Sequence, residues 1–309
     1  MHVEIQVKNG KKYYYITETI RQGDKWKKVR IYLGHDLSKK EISSKIRERK
    51  VEFNEKATRS KNQFDPLLTL IPEPQIKELE AIKKEYKKNL GKIDKLQYQN
   101  YYENFVTQFT YDTNAIEGST LSLQDTSMIL FEKTVPKGKS LKEISEAQNH
   151  KDAFDFMLHY KGDITTRLVL RIHKVLMHNI LWKYAGAFRD VSVYIRGASV
   201  KPPPPEKVEQ EFKRLMIWYR RNKKKYHPVV VAALMHHGFE SIHPFRDGNG
   251  RVGRLILNFI LRKTGFPLID IKYKDRESYY AALSKADEGN LKLLVDLIIK
   301  YIKESEAGI

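Results

Sequence analysis

Two apolar stripes at helical spacing flank a short polar turn late in the chain. From Pro228 to Ser241 the apolar positions recur as on a buried helix, and Pro228 suits the first helical position, where its missing N–H is no loss. After the turn, Val252, Leu255, Ile256, Phe259 and Ile260 fall at i, i+3, i+4, i+7 and i+8, which predicts a second helix with one buried face. Gly265 and Pro267 end it. The same periodicity predicts helices over 75–88, 95–111, 123–132, 141–160, 165–179, 206–222 and 291–303. The first sixty residues differ. Alternating runs at 13–17 and 28–33 read as strands around Gln22, Gly23 and Asp24, with another strand near 3–7, a turn at Asn9-Gly10 and a basic helix over 37–57. A short strand is also predicted at 191–195, followed by Gly197 and the rigid run Pro202 to Pro205. The fold class is therefore mainly α: a helical bundle with a small active-site β-hairpin, preceded by a small β-containing module. The expected divisions are 1–60, a linker with helices over 61–106 marked by Pro66, Pro72 and Pro74, and a main domain over 107–303.

Composition narrows the chemistry. The 309 residues include no cysteine, so disulfides, thiolate metal sites and a cysteine nucleophile are excluded. No apolar run of about 18 residues occurs and the start does not read as a signal peptide, so the expectation is a cytoplasmic protein with no membrane partner. The formal charge of +19 attracts polyanions. Its lysines are widely dispersed, which suits a solvated surface. Basic residues interleaved with Tyr13, Tyr15, Trp26 and Tyr32 also make nucleic acid a candidate partner of the N-terminal module.

The turn itself, His243 to Arg254, reads HPFRDGNGRVGR. Gly248, Asn249 and Gly250 stand at the N-terminus of the second helix, where unpaired N–H groups and the helix dipole favour an anion. The glycines let backbone approach a phosphate, and Asn249 adds a side-chain donor. Arg251 and Arg254 lie three apart on one face, with guanidinium forks suited to phosphate oxygens. Asp247 would repel a phosphate unless a bridging Mg²⁺ lies between them. His243 is able to accept a proton near neutral pH.

HPFRDGNGRVGR matches the Fic family signature H-x-F-x-(D/E)-G-N-G-R-x-x-R at every specified position, so the chain resembles a Fic-type enzyme. That family mostly transfers AMP from ATP to protein hydroxyls. The resemblance implies that His243 is the general base, Asp247 the Mg²⁺ ligand, Gly248, Asn249 and Gly250 the anion hole, Arg251 a phosphate-binding arginine and Arg254 the γ-phosphate arginine. Thr113, Glu117 and Gly118 match the inhibitory pattern S/T-x-x-x-E-(G/N), in the class where an N-terminal helix of the same chain inhibits. The resemblance places Glu117 against Arg254. In some relatives that glutamate serves AMP removal.

Other segments fit the resemblance. Gly186 to Arg189 resembles the element before the active-site flap, and the following hairpin would clamp the target by backbone pairing. Tyr280 is a candidate for the adenine pocket. Asn258 would either reach the ribose or satisfy a buried carbonyl, and His236 reads as a core histidine. The implied partners are ATP with Mg²⁺, a protein bearing a Ser, Thr or Tyr hydroxyl, and a second copy of the chain. One rival reading is a nucleic-acid-binding regulator that uses the nucleotide site as a sensor. Another keeps the enzyme but changes the donor nucleotide or the direction.

Overall fold

The computed structural model describes residues 1–22, 25–62, 65–195 and 200–306. The chain forms two compact units, Met1–Leu70 and Ile71–Ile309. In the first, β1 (His2–Lys8), β2 (Lys11–Gln22) and β3 (Lys25–His35) form an antiparallel sheet in the order β1-β2-β3. The period-2 alternation puts Tyr14, Ile16, Ile20, Val29, Ile31 and Leu33 on one face, where they pack with Phe53 and Ala57 of α1 (Lys39–Asn62). A register shift at Tyr14/Tyr15 adjusts the β2–β3 pairing. The expected hairpin is thus a three-stranded sheet, because Val3 to Val7 pairs with Ile16 to Lys12. Gly23 and Asp24 of the expected turn lie outside the described residues.

The second unit is helical throughout its described regular structure, apart from connecting turns: α2 (Glu73–Leu90), α3 (Lys95–Ile116), α4 (Leu123–Ser127), α5 (Leu141–His159), α6 (Thr166–Leu176), α7 (Pro205–Asn222), α8 (Pro228–Ile242), α9 (Asn249–Lys263), α10 (Arg276–Asp287) and α11 (Lys292–Glu306). Starts follow local chemistry. Asp94 with Gln97, Ser122 with Asp125 and Ser140 with Glu143 form capping boxes at α3, α4 and α5. The predicted helix over 123–132 is split, its second half winding as a π-helical turn over Met128–Glu132. Residues 191–195 form no strand among the described residues, and the expected hairpin turn at 196–199, with Gly197, lies outside them. No helix among the described residues is long and apolar enough to cross a membrane.

α9 is the central rod of this unit. Val252 and Leu255 to Leu261 are all buried, as are Arg251 and Arg254. Asn258 is buried too, and its amide donates to the Ile269 carbonyl at 2.9 Å and accepts from the Ile269 N–H at 2.8 Å. It fastens the segment after α9 onto the rod.

The small first unit leans on few large side chains. Phe53→Ala should cost it about 3–5 kcal/mol, read as a lowered urea midpoint for protection of the Met1–Leu70 segment from proteolysis. A change below about 1 kcal/mol would mean that Phe53 does not carry this core.

Candidate functional site

The turn between α8 and α9 is built by backbone geometry first. His243 caps α8 in the left-handed region, φ 48°, and its N–H donates to the Phe239 carbonyl at 2.9 Å. That conformation is strained for a residue with a side chain, and such strain collects at working sites. Gly248 takes φ 77° just before α9. The first N–H groups of α9 have no intrahelical acceptor, so they form the anion-seeking end expected from the sequence.

Asn249 departs from its expected role. Its side chain is buried, accepts from the Phe245 N–H and donates to the Phe245 carbonyl, both at 2.9 Å. The side chain staples the turn, and only the backbone of Asn249 is offered to an anion. Arg251 also departs from it. It is buried and paired with Glu146 of α5 at 3.0 Å and with Asp247 at 3.3 Å. Asp247 in turn accepts from the Gly248 N–H at 2.6 Å and is two-fifths exposed, at 41%. Oδ1 makes both contacts, and Oδ2 has no partner among the described residues.

Arg254 is 2% exposed and meets α3 directly. Its Nε donates to Thr113 Oγ1 at 3.2 Å, and one terminal nitrogen donates to the Thr113 carbonyl at 3.1 Å and to Glu117 Oε1 at 2.6 Å. Burial opposes the guanidinium charge, but Glu117, Tyr279 and Glu240 together outweigh it and hold its pKa above the ordinary arginine value. The approach depends on Gly250: a Cβ there would fall 2.2 Å from Glu117 Oε1. Gly118, at φ 101°, turns the chain away immediately after α3.

His243, Glu117, Arg254, Gly250 and Tyr280 line one cavity of about 260 Å³, together with Glu240. Glu117 lines it, and the volume lies just below the range of about 300–1,000 Å³ usual for ligand pockets. His243 Nδ1 lies 3.3 Å from the Glu240 carbonyl. A carbonyl only accepts, so Nδ1 carries the proton and Nε2 is left as the basic nitrogen. Burial is the main cause lowering the His243 pKa, which keeps the ring neutral at pH 7. Tyr280 is partly exposed, with its hydroxyl donating to the Ile116 carbonyl at 3.3 Å. Asn258 is not among the cavity residues; its amide is engaged by Ile269, so it satisfies buried backbone instead of facing the cavity. His236 is buried against the Tyr279 hydroxyl at 2.7 Å.

Three further residues support the site, and of these only Arg189 stands in an element that the sequence singled out, Gly186 to Arg189. Arg189, 3% exposed, donates to the carbonyls of His243 at 2.8 Å, Val191 at 2.9 Å and Pro203 at 2.6 Å. It ties the α8–α9 turn to the segments on either side of 196–199. His173 stacks on Phe245 at 3.7 Å, accepts from the Gly186 N–H and donates to the Asp247 carbonyl at 3.1 Å. Glu146 balances Arg251. His173 and Glu146 were visible only as isolated polar residues of helices.

The Fic/DOC family model matches residues 163–261. The chain is 32% identical over 197 residues to the protein adenylyltransferase Fic of Nematostella vectensis, covering 62% of this chain and 46% of that protein. It is 35% identical over 195 residues to the protein adenylyltransferase Fic of Culex quinquefasciatus, covering 62% and 39%. It therefore spans less than half the length of these curated relatives. Among solved structures, Fic-1 (residues 134–508) from C. elegans aligns with a TM-score of 0.68 and 29% identity, over 82% of this chain and 75% of that one. A Fic family protein from Desulfovibrio desulfuricans aligns with a TM-score of 0.62 and 26% identity, over 76% and 74%.

Because Arg189 serves several carbonyls with one rigid fork, Arg189→Lys should cost about 2 kcal/mol or more of stability in urea denaturation. Asp190→Asn, which only loosens an exposed pair with Arg246, should leave the urea midpoint almost unchanged. Equal costs would remove Arg189 as the clamp of the turn.

Proposed function

We propose that this chain, which carries a Fic domain, is an autoinhibited protein adenylyltransferase that moves AMP from ATP to a Ser, Thr or Tyr hydroxyl of a target protein. The observation that carries the reading is the joint placement of His243, the start of α9 and the Glu117–Arg254 pair around one cavity. The names of the aligned relatives support the reaction class.

In the reaction, His243 Nε2 takes the proton of the target hydroxyl. The oxygen forms its bond to the α-phosphorus while the bond from that phosphorus to the bridging oxygen breaks and pyrophosphate leaves. The N–H groups at the start of α9 face the phosphates, and Arg254 receives the terminal phosphate once Glu117 withdraws. Catalysis of this kind is mostly positioning and charge stabilisation. The tautomer set by the Glu240 carbonyl presents the basic nitrogen without further rearrangement.

The donor set fits a divalent cation held jointly with substrate. No cluster of three or more His, Cys, Asp or Glu residues that would cage a metal alone occurs among the described residues. Mg²⁺ instead takes one or two carboxylates with phosphates and water, and Asp247, partly exposed beside the anion site, supplies one. When bound, the ion would neutralise phosphate charge.

Inhibition follows from competition for one guanidinium. A hydrogen bond to a charged partner contributes about 1.5–3 kcal/mol, enough to shift an equilibrium roughly tenfold to a hundredfold. Glu117 lies in the cavity with His243 and is 38% exposed, so the same carboxylate also suits activation of a water for AMP removal.

Incorporation of α-labelled ATP into protein with Mg²⁺ tests the reading. Glu117→Gly should raise labelling at least about tenfold, and Glu117→Gly/His243→Ala should return it to background. Undiminished label in the double variant would refute His243 as the base. Equal labelling of parent and Glu117→Gly would refute the inhibitory role.

A further inference from the structure

The cavity contains a carboxyl group that the transfer reading leaves without a role. Glu240 stands one turn before His243 on α8 and lines the cavity with Arg254 and Glu117. Its Oε1 is buried and has no hydrogen-bond partner among the described residues. It lies against the first turns of α9, since a Cβ built on Gly253 would fall 2.3 Å from it. Its Oε2 is 4.0 Å from His243 Nδ1, whose nearer acceptor is the Glu240 backbone carbonyl. Arg254 donates to Thr113 and Glu117, and to no atom of Glu240 among the described residues. A carboxylate held in such surroundings, without an ion pair or a donor on Oε1, is costly to keep charged and takes up a proton instead.

We propose that Glu240 is a specificity-determining residue of this cavity: an uncharged acid that leaves Arg254 open to a terminal phosphate and competes for Arg254 once ionised. The inference rests on the reading that Arg254 receives the terminal phosphate of a nucleoside triphosphate.

The surroundings set the sign of the pH dependence. Burial is the largest influence and pushes the carboxyl up to about 8, with Glu117 at the end of α3 adding to the rise and Arg254 of α9 opposing it. His243 on the same helix is kept neutral mainly by burial. His236, whose Nδ1 falls 3.0 Å from the same built Gly253 Cβ, is held neutral by burial at about 3. Tyr279 and Tyr280 of α10 are raised by burial and stay neutral. Below the transition the protonated acid leaves the Arg254 charge unopposed by Glu240. Above it the carboxylate neutralises Arg254 and repels phosphate, so triphosphate affinity falls as pH rises. Removing Glu117 removes one raising influence and brings the transition lower.

The test is binding of ATP and of AMP, both with Mg²⁺, to Glu117→Gly and to Glu117→Gly/Glu240→Gln at pH 6.5 and pH 9. In Glu117→Gly the preference for ATP over AMP should fall about tenfold between the two pH values. With the neutral isostere it should change less than about twofold. An equal fall in both variants overturns the inference. Carbon NMR titration of the Glu240 carboxyl in Glu117→Gly gives an answer that needs no further substitution. A midpoint above about 6 supports the inference, and one near the ordinary value of about 4.3 overturns it. Absence of ATP binding to either variant at both pH values overturns the phosphate reading itself, and this inference with it.

Discussion

A buried guanidinium must have its charge met, and the site is arranged around that demand. Arg254 projects from the most enclosed helix of the second unit and is almost wholly out of water. An isolated charge in such a place is untenable. Thr113 and Glu117 answer it from α3, and Gly250 gives Glu117 the room to reach it. The partner is also replaceable, because Glu117 ends its helix and keeps one-third or more of its side chain exposed. An anion of the right charge is able to take its place without leaving Arg254 unpaired. Inhibition and substrate recognition are in this view two ways of satisfying one cation.

Two other buried arginines at the site do not share this property. Arg251 is held from two sides by Glu146 and Asp247, and Arg189 by backbone carbonyls. They fix the frame, and on the proposed reading Arg254 is the buried arginine that changes partner. His243 is fixed by the frame too, through its left-handed backbone, its carbonyl on Arg189 and its Nδ1 on Glu240. On the proposed reading a base so placed needs no movement to work, and Glu117 is the group that moves.

Much of this was legible in the sequence where the signal is local. The periodicity of 228–241 and 252–260 specifies α8 and α9, and the run His243 to Arg254 carries the proposed anion-binding turn. Contacts set by long-range packing were harder to read. Asn249 and Arg251 have the residue types of phosphate donors, yet Phe245, Glu146 and Asp247 engage their side chains, and nothing nearby in sequence announces those partners. Arg189 belongs to a recognisable short element, but its acceptors lie up to 54 residues away. Glu240 looks like any polar residue on an amphipathic helix until burial and its neighbours define it. In the first unit, the alternation at 3–7 signalled a strand, and the sheet gained its third member by pairing that strand with β2.

The most direct measurement of the central claim is the ratio of ADP to ATP dissociation constants, with Mg²⁺, for the parent and for Glu117→Gly. If Glu117 and the terminal phosphate exchange at Arg254, the ratio should be close to one in the parent and rise roughly tenfold to a hundredfold in the variant. The same ratio in both proteins would contradict the exchange, and with it the account of how this site is held in check.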